Sequence, residues 1–316
     1  MPDSQRLTIR ADQPQRRPSV IRHVLGSVGL VTASAVIPYV HLASGPTAHL
    51  TPTVAAPREV EVEGFDYAFK LPKELPAGRT TFRFINRGKV AHEFNVELLE
   101  QGVTLEDYMA AANAKKPLDP FVEATVGVLF AEPGGRSPSG LSTDLLAGRT
   151  YAIRCIFKDS KDAPRHEALG MFSALHVTAA KGAASTPLRV DTIVGMDYAF
   201  RAPATLTPGL HYLAFVNTGK HRHELNLTLL RKGRTLQQLV EIERSGGDVD
   251  SVPEPGGFGV LDSPAGEAPL GLLQLEMLPG REYLLVCLYT DSANAPPHYK
   301  LGMFGSIRVS EKAAKP

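Results

Sequence analysis

Residues 155–172 read CIFKDSKDAPRHEALGMF, and residues 287–304 read CLYTDSANAPPHYKLGMF. Both fit the pattern C-x10-H-x4-M. Both begin inside an apolar, strand-like run, YAIRCIF from Tyr151 and EYLLVCLY from Glu282. Upstream of each cysteine stands another histidine, His92 in FINRGKVAHEFNVELLEQG and His223 in FVNTGKHRHELNLTLLRKG. The two sets are therefore His92, Cys155, His166 and Met171, and His223, Cys287, His298 and Met303. Two imidazoles, one thiolate and one thioether are the donors of a mononuclear type 1 copper site. The chain has only two cysteines, and both fall in this pattern.

Working outward, the repeat extends well beyond these residues. GFDYAF (Gly64–Phe69) pairs with GMDYAF (Gly195–Phe200), and an E-P-G-G appears in each half, Glu132–Gly135 and Glu254–Gly257. The chain reads as a tandem duplication, with copies at 58–179 and 188–310, a linker at 180–187 and a tail at 311–316. Period-two alternation dominates each copy, as in VEVEG from Val60, TFRFIN from Thr81 and LHYLAFVN from Leu210. Such runs make strands with one buried face. The 28 glycines and 25 prolines favour many short strands over long helices. One helix per copy is expected after capping-box starts at Thr104 and Thr235. The fold class is thus all-β, with one β-sandwich and one short helical insertion per copy.

Within each copy, the first histidine follows a turn and opens a strand. The cysteine ends another strand, a ten-residue loop returns the second histidine to the same end, and the methionine starts the last strand. His166 and His298, on loops, are expected to form the solvent-side edge for electron transfer. A disulfide between Cys155 and Cys287 would have to join the interiors of two separate sheets, which bond geometry disfavours.

The formal net charge is +1 in 316 residues, so nothing points to nucleic acid as a partner. Residues 1–45 read as a basic leader with a mildly apolar segment at 24–43. Arg16 and Arg17 resemble the pair of a twin-arginine export signal. Residues 46–57 form a spacer. The expectation is an exported, periplasmic protein whose leader is either a cleaved signal or a retained membrane anchor. No Gly-rich phosphate loop, nucleophile elbow or C-x2-C pair is present.

The order of these ligands on a duplicated, β-rich scaffold resembles the cupredoxin family, which includes plastocyanin, azurin and the domains of multicopper enzymes. The resemblance covers both copies. It implies two Greek-key β-sandwich domains with one type 1 copper at an end of each, and single-electron exchange with a redox partner protein. The Cys-to-His loop is longer than in the family's small electron carriers and closer to that of copper nitrite reductases. Glu93 and Glu224 follow the first histidines where azurin-like proteins have Asn; they read either as solvated strand residues or as carboxylates that accept a hydrogen bond beside the site or lie close enough to alter it. Two other functions use the same residues. One is copper storage or handling without a redox role. The other is a multicopper reductase with a type 2 copper at a subunit interface, drawing on His221, His176 or His211. A trinuclear oxidase centre is excluded by the lack of paired H-x-H motifs.

Overall fold

The computed structural model describes residues 58–180, 188–292 and 294–312. The leader, spacer and most of the linker expected from the sequence lie outside the described residues. No helix among the described residues is long and apolar enough to cross a membrane.

The first copy contains β1 (Arg58–Phe65), β2 (Ala68–Lys70), β3 (Glu74–Pro76), β4 (Gly78–Asn86), β5 (His92–Leu99), β6 (Val122–Ala131), β7 (Arg136–Leu145), β8 (Thr150–Arg154) and β9 (Phe172–Thr178). The second contains β10 (Val190–Met196), β11 (Ala199–Arg201), β12 (Thr205–Leu206), β13 (Gly209–Asn217), β14 (His223–Leu229), β15 (Gly259–Ser263), β16 (Leu272–Met277), β17 (Glu282–Val286) and β18 (Phe304–Val309). Helices α1 (Leu105–Asn113) and α2 (Leu236–Arg244) interrupt the copies at the same place. Both begin with the expected capping box, Thr104 with Asp107 and Thr235 with Gln238. Each cap satisfies backbone donors that a helix start leaves open, worth about 1 kcal/mol.

The strands form two sheets that run through both copies. One has the order β11-β10-β13-β16-β7-β4-β1-β2, and the other β12-β18-β17-β14-β15-β6-β5-β8-β9-β3. The copies therefore join edge to edge in both layers, β7 against β16 and β6 against β15. Val128 pairs with Val260, and Leu141 with Leu273, both antiparallel. Each of these residues faces its own counterpart in the duplication, so the joint has local two-fold symmetry. Equivalent glycines, Gly127 and Gly259, allow the close approach. A Cβ on Gly259 would stand 2.6 Å from the Val128 carbonyl oxygen, at a φ of +155°.

This register corrects one sequence expectation. The two E-P-G-G stretches are not equivalent. Glu132–Gly135 forms the turn between β6 and β7, whereas Glu254–Gly257 precedes β15. The true match is Gly127-Val-Leu129 with Gly259-Val-Leu261, fixed by the pairing at the joint. The shared tetrapeptide arose from turn composition, because Pro-Gly-Gly suits any tight connection.

One continuous apolar core fills the space between the layers of both copies. Phe94 is fully buried and stacks on Phe84 with ring centroids 5.8 Å apart. Burying such a ring contributes about 2–3 kcal/mol. Strand β5, expected to alternate, is buried at every position. Its outer face is partly covered by α1, where Tyr108, Met109 and Ala111 pack with Leu99 and Ala152 in a satellite cluster.

Candidate metal centres

Two groups of possible metal ligands occur among the described residues, and both are fully buried: His92, Cys155 and His166, and His223, Cys287 and His298. Strand pairing brings them together. β5 and β8 are neighbours in one sheet, so His92 at the start of β5 lies near Cys155 just past the end of β8. The loop after Cys155 closes on itself through His166 N–H to the Phe157 carbonyl, 3.0 Å, and Glu167 N–H to the Cys155 carbonyl, 2.8 Å. The second copy repeats both bonds, His298 to Tyr289 and Tyr299 to Cys287, each 2.9 Å.

In the first group the two Nδ1 atoms are 3.0 Å apart, and Cys155 Sγ lies 3.4 Å from His166 Nδ1 and 3.9 Å from His92 Nδ1. In the second group the same separations are 3.0, 3.5 and 4.0 Å. A first-row ion bonds nitrogen at about 2.0 Å and sulfur at about 2.3 Å, so donors sharing it must stand within about 4.3 Å of each other. All six separations satisfy that limit.

The outer ring nitrogens supply a second test of fit. His166 Nε2 faces Asp159 Oδ1 at 3.0 Å, and His92 Nε2 faces Asp66 Oδ1 at 3.4 Å. An ionised carboxylate only accepts, so each Nε2 carries the proton and each Nδ1 presents a bare lone pair. Two lone pairs facing each other across 3.0 Å repel unless a cation lies between them. This is the carboxylate–histidine–metal arrangement that orients a ligand ring and raises its basicity. In the second copy Asp197 and Asp291 stand 3.5 and 3.4 Å from His223 and His298 Nε2, close enough to attract but poorly aligned for a hydrogen bond.

Met171 and Met303 are fully buried and tied to the same cluster through the backbone. Met171 N–H donates to the His166 carbonyl at 2.9 Å, and Cys155 N–H to the Met171 carbonyl at 3.1 Å. Met303 does the same with His298 and Cys287, at 3.0 and 3.1 Å. Their methyl ends lie against Gly64 and Gly195, where a Cβ would come within 3.3 and 3.4 Å of Cε. The two glycines therefore leave room for the thioethers.

Electrostatics in the pocket follow from burial. Desolvation pushes both thiols far up from the usual cysteine value, and nearby Glu93 and Glu224 push the same way. Burial lowers His92, helped by His166. It lowers His223 to about 4, helped by His298. His298 is also lowered by burial, against the opposing pull of Asp291. A doubly charged ion reverses this balance, because a coordinating thiol loses its proton outright.

Two expectations change at the sites. Glu93 and Glu224 are buried, at 1% and 2% exposure. Their N–H groups point at the cysteine sulfurs, 3.2 and 3.4 Å away, and their carboxylates face the joint between copies. His166 and His298 are fully buried, so solvent meets the site at Asp159 and Tyr67 rather than at the rings. His176 and His211 lie away from both groups. His176 pairs with Thr150, while His211 spends its two nitrogens on Asp191 and the Thr207 carbonyl. His221 alone approaches a site, its Nδ1 3.1 Å from Asp291. Cys155 and Cys287 are free thiols, one in each group.

The outer carboxylates and Tyr67/Tyr198 were not anticipated, although their signal was visible in the repeated Asp-Tyr of GFDYAF and GMDYAF. Asp66 and Tyr67 form the turn between β1 and β2, with Tyr67 at a φ of +67° and its counterpart Tyr198 at +61°. Holding a bulky residue there costs on the order of 1–3 kcal/mol. The turn sends Asp66 to the first histidine and sets Tyr67 edge-on against the second, 5.0 Å between centroids. Tyr67 also donates its hydroxyl to Asp159 at 2.9 Å. The chain thus carries two sites whose donors fit copper, in a two-layer β fold.

No family model matches the chain, and no curated protein matches it. Among solved structures it is similar to a dithionite-reduced auracyanin from Roseiflexus castenholzii, at 21% identity and a TM-score of 0.28 over 39% of this chain and 99% of that one. It is similar to the blue copper protein auracyanin A from Chloroflexus aurantiacus, at 19% identity and 0.26 over 39% and 100%. It is also similar to a copper-containing nitrite reductase from Thermus scotoductus SA-01, at 12% identity and 0.24 over 83% and 64%.

Proposed function

We propose that the chain is an exported copper protein with two type 1 sites that passes single electrons to and from a redox partner protein. His92, Cys155, His166 and Met171 hold one ion, and His223, Cys287, His298 and Met303 the other. The observation that carries this reading is the buried Nδ1, Nδ1, Sγ triangle, with its outer ring nitrogens turned to carboxylates in the first copy. Copper bound there supplies a one-electron couple between Cu(II) and Cu(I).

The protein's contribution is a rigid, dry frame. The Glu93 N–H holds the Cys155 sulfur, Asp66 and Asp159 hold the two rings, and the cysteine and methionine are pinned to each other by backbone bonds. Ligands fixed in this way need not rearrange when the charge changes by one, which favours fast transfer. The copies' sites also lie far apart. His92 and His223 sit three residues to opposite sides of the Val128–Val260 pair and three strand spacings apart, roughly 20–25 Å. Each site then serves a partner at its own end of the molecule.

The test is a visible spectrum of the purified chain after Cu(II) addition. An intense thiolate-to-Cu(II) band is expected, halved in Cys155→Ser and in Cys287→Ser and absent in the double variant. Reversible bleaching by a one-electron reductant with retention of copper supports a carrier. A colourless protein removes the redox reading, and rapid loss of copper to a mild chelator favours storage or handling instead.

A further inference from the structure

The two sites match in their inner donors and differ in what lies directly behind them. Arg154, the residue before Cys155, is buried at 3% exposure between two carboxylates. Its guanidinium reaches Glu97 Oε1 at 2.9 Å and Glu167 Oε2 at 3.0 Å. Tyr108 of α1 donates its hydroxyl to the other Glu97 oxygen and lies beneath the guanidinium, 5.5 Å from the ring centroid. Glu97 is on the strand of His92, Arg154 precedes Cys155 and Glu167 follows His166. All three stretches that bear ligands therefore meet in this cluster.

At the matching places the second copy has Thr228, Val286, Tyr299 and Leu239 for Glu97, Arg154, Glu167 and Tyr108. None of these is charged. The first site is thus backed by two buried carboxylates and one buried guanidinium, a net charge of one negative. Arg165 also touches Glu167, at 3.5 Å, but its side chain is 40% exposed and water screens it. The acidic groups nearest the ligands, Asp66, Asp159 and Glu93, have the counterparts Asp197, Asp291 and Glu224, and the second copy's additional buried carboxylate, Asp262 opposite Glu224, is neutralised by Arg222 at 2.8 Å, so none of these gives the second site an extra negative charge.

A fixed negative charge in a low-dielectric interior favours the more positive of two oxidation states. We propose that the buried Glu97–Arg154–Glu167 cluster makes the two sites electrochemically unequal, giving the first the lower midpoint potential. With an external one-electron donor, the second site then goes from Cu(II) to Cu(I) first. This inference rests on the copper reading above.

The test is a spectroelectrochemical titration of the copper-loaded full chain, using Cys287→Ser to isolate the first site and Cys155→Ser to isolate the second. The first site is expected at the lower midpoint. Glu97→Gln or Glu167→Gln raises the first site's midpoint without moving its absorption band, and leaves the second site's midpoint unchanged. The constant band separates a charge effect from a displaced ligand. Should either single change prevent folding, the combined variant Glu97→Thr, Tyr108→Leu, Arg154→Val, Glu167→Tyr replaces the whole cluster with residues that already pack at the equivalent place. It moves the first midpoint toward the second. Equal midpoints, a reversed order, or a first-site midpoint unmoved by these changes overturn the inference and leave the copper reading intact. A chain with no visible band overturns both.

Discussion

Gly88→Ala should loosen copper at the first site while leaving every ligand residue in place. A Cβ on Gly88 would fall 2.2 Å from Asp66 Oδ1 and 2.8 Å from His92 Nε2. Ordinary contact needs more than 3 Å, so the carboxylate must retreat by about 1 Å or more. That oxygen accepts the Lys89 N–H at 2.7 Å and faces His92 Nε2 at 3.4 Å. The methyl therefore removes the group that orients the His92 ring. Loss of such an outer partner typically lowers metal affinity by about 10–100-fold, which is about 1.4–2.7 kcal/mol. The assay is competition with a chelator of known affinity in the Cys287→Ser background, where only the first site binds. Asp66→Ala should give a similar loss, because the methyl acts by displacing that carboxylate. Unchanged affinity in Gly88→Ala, or a large loss in Gly88→Ala with none in Asp66→Ala, would refute the reasoning.

Other outcomes follow from the same geometry. In the copper-free protein, His223 has its folded-state value lowered from 6.5 to about 4. The unfolded chain then binds a proton that the folded chain refuses, so stability is complete above pH 6.5 and falls as pH drops toward 4. The loss from this residue is up to about 3 kcal/mol, measured as denaturant midpoint against pH, and His223→Gln should flatten it. Copper loading at pH 7 should release about one proton per ion, from the thiol that the metal deprotonates; calorimetry in buffers of different ionisation enthalpy measures it. At the joint, Gly259→Ala places a methyl 2.6 Å from the Val128 carbonyl oxygen at a φ that side chains avoid. A destabilisation of about 1–3 kcal/mol is expected in chemical unfolding, and an unchanged midpoint would show that the two edges are not tightly paired.

Much of this molecule could be read from its residues. The repeated C-x10-H-x4-M, with a histidine opening an earlier strand, located all six donors that converge, because the first histidine and the cysteine sit at strand ends that gather at one edge and the loop after the cysteine carries the second histidine back to them. The capping boxes at Thr104 and Thr235 located both helices, since that signal is purely local. What stayed hidden depends on contacts between distant segments. The Asp66-Tyr67 turn was visible as a repeat, but its role needs β1 to lie beside the His92 turn. Glu93 looked solvated because alternation places it on the outer face of β5, and only the covering of that face and the joint to β15 bury it. The edge-to-edge joint itself has no local signature beyond Gly127 and Gly259, and the two E-P-G-G turns pointed to the wrong register.

The central claim is that nitrogen and sulfur from separate strands converge on one ion in each copy. Anomalous diffraction at the copper edge from copper-loaded crystals tests it most directly. Two peaks per chain are expected, one enclosed by His92 Nδ1, His166 Nδ1 and Cys155 Sγ and one by His223 Nδ1, His298 Nδ1 and Cys287 Sγ. Peaks confined to surface histidines such as His176, with both buried triangles empty, would contradict it.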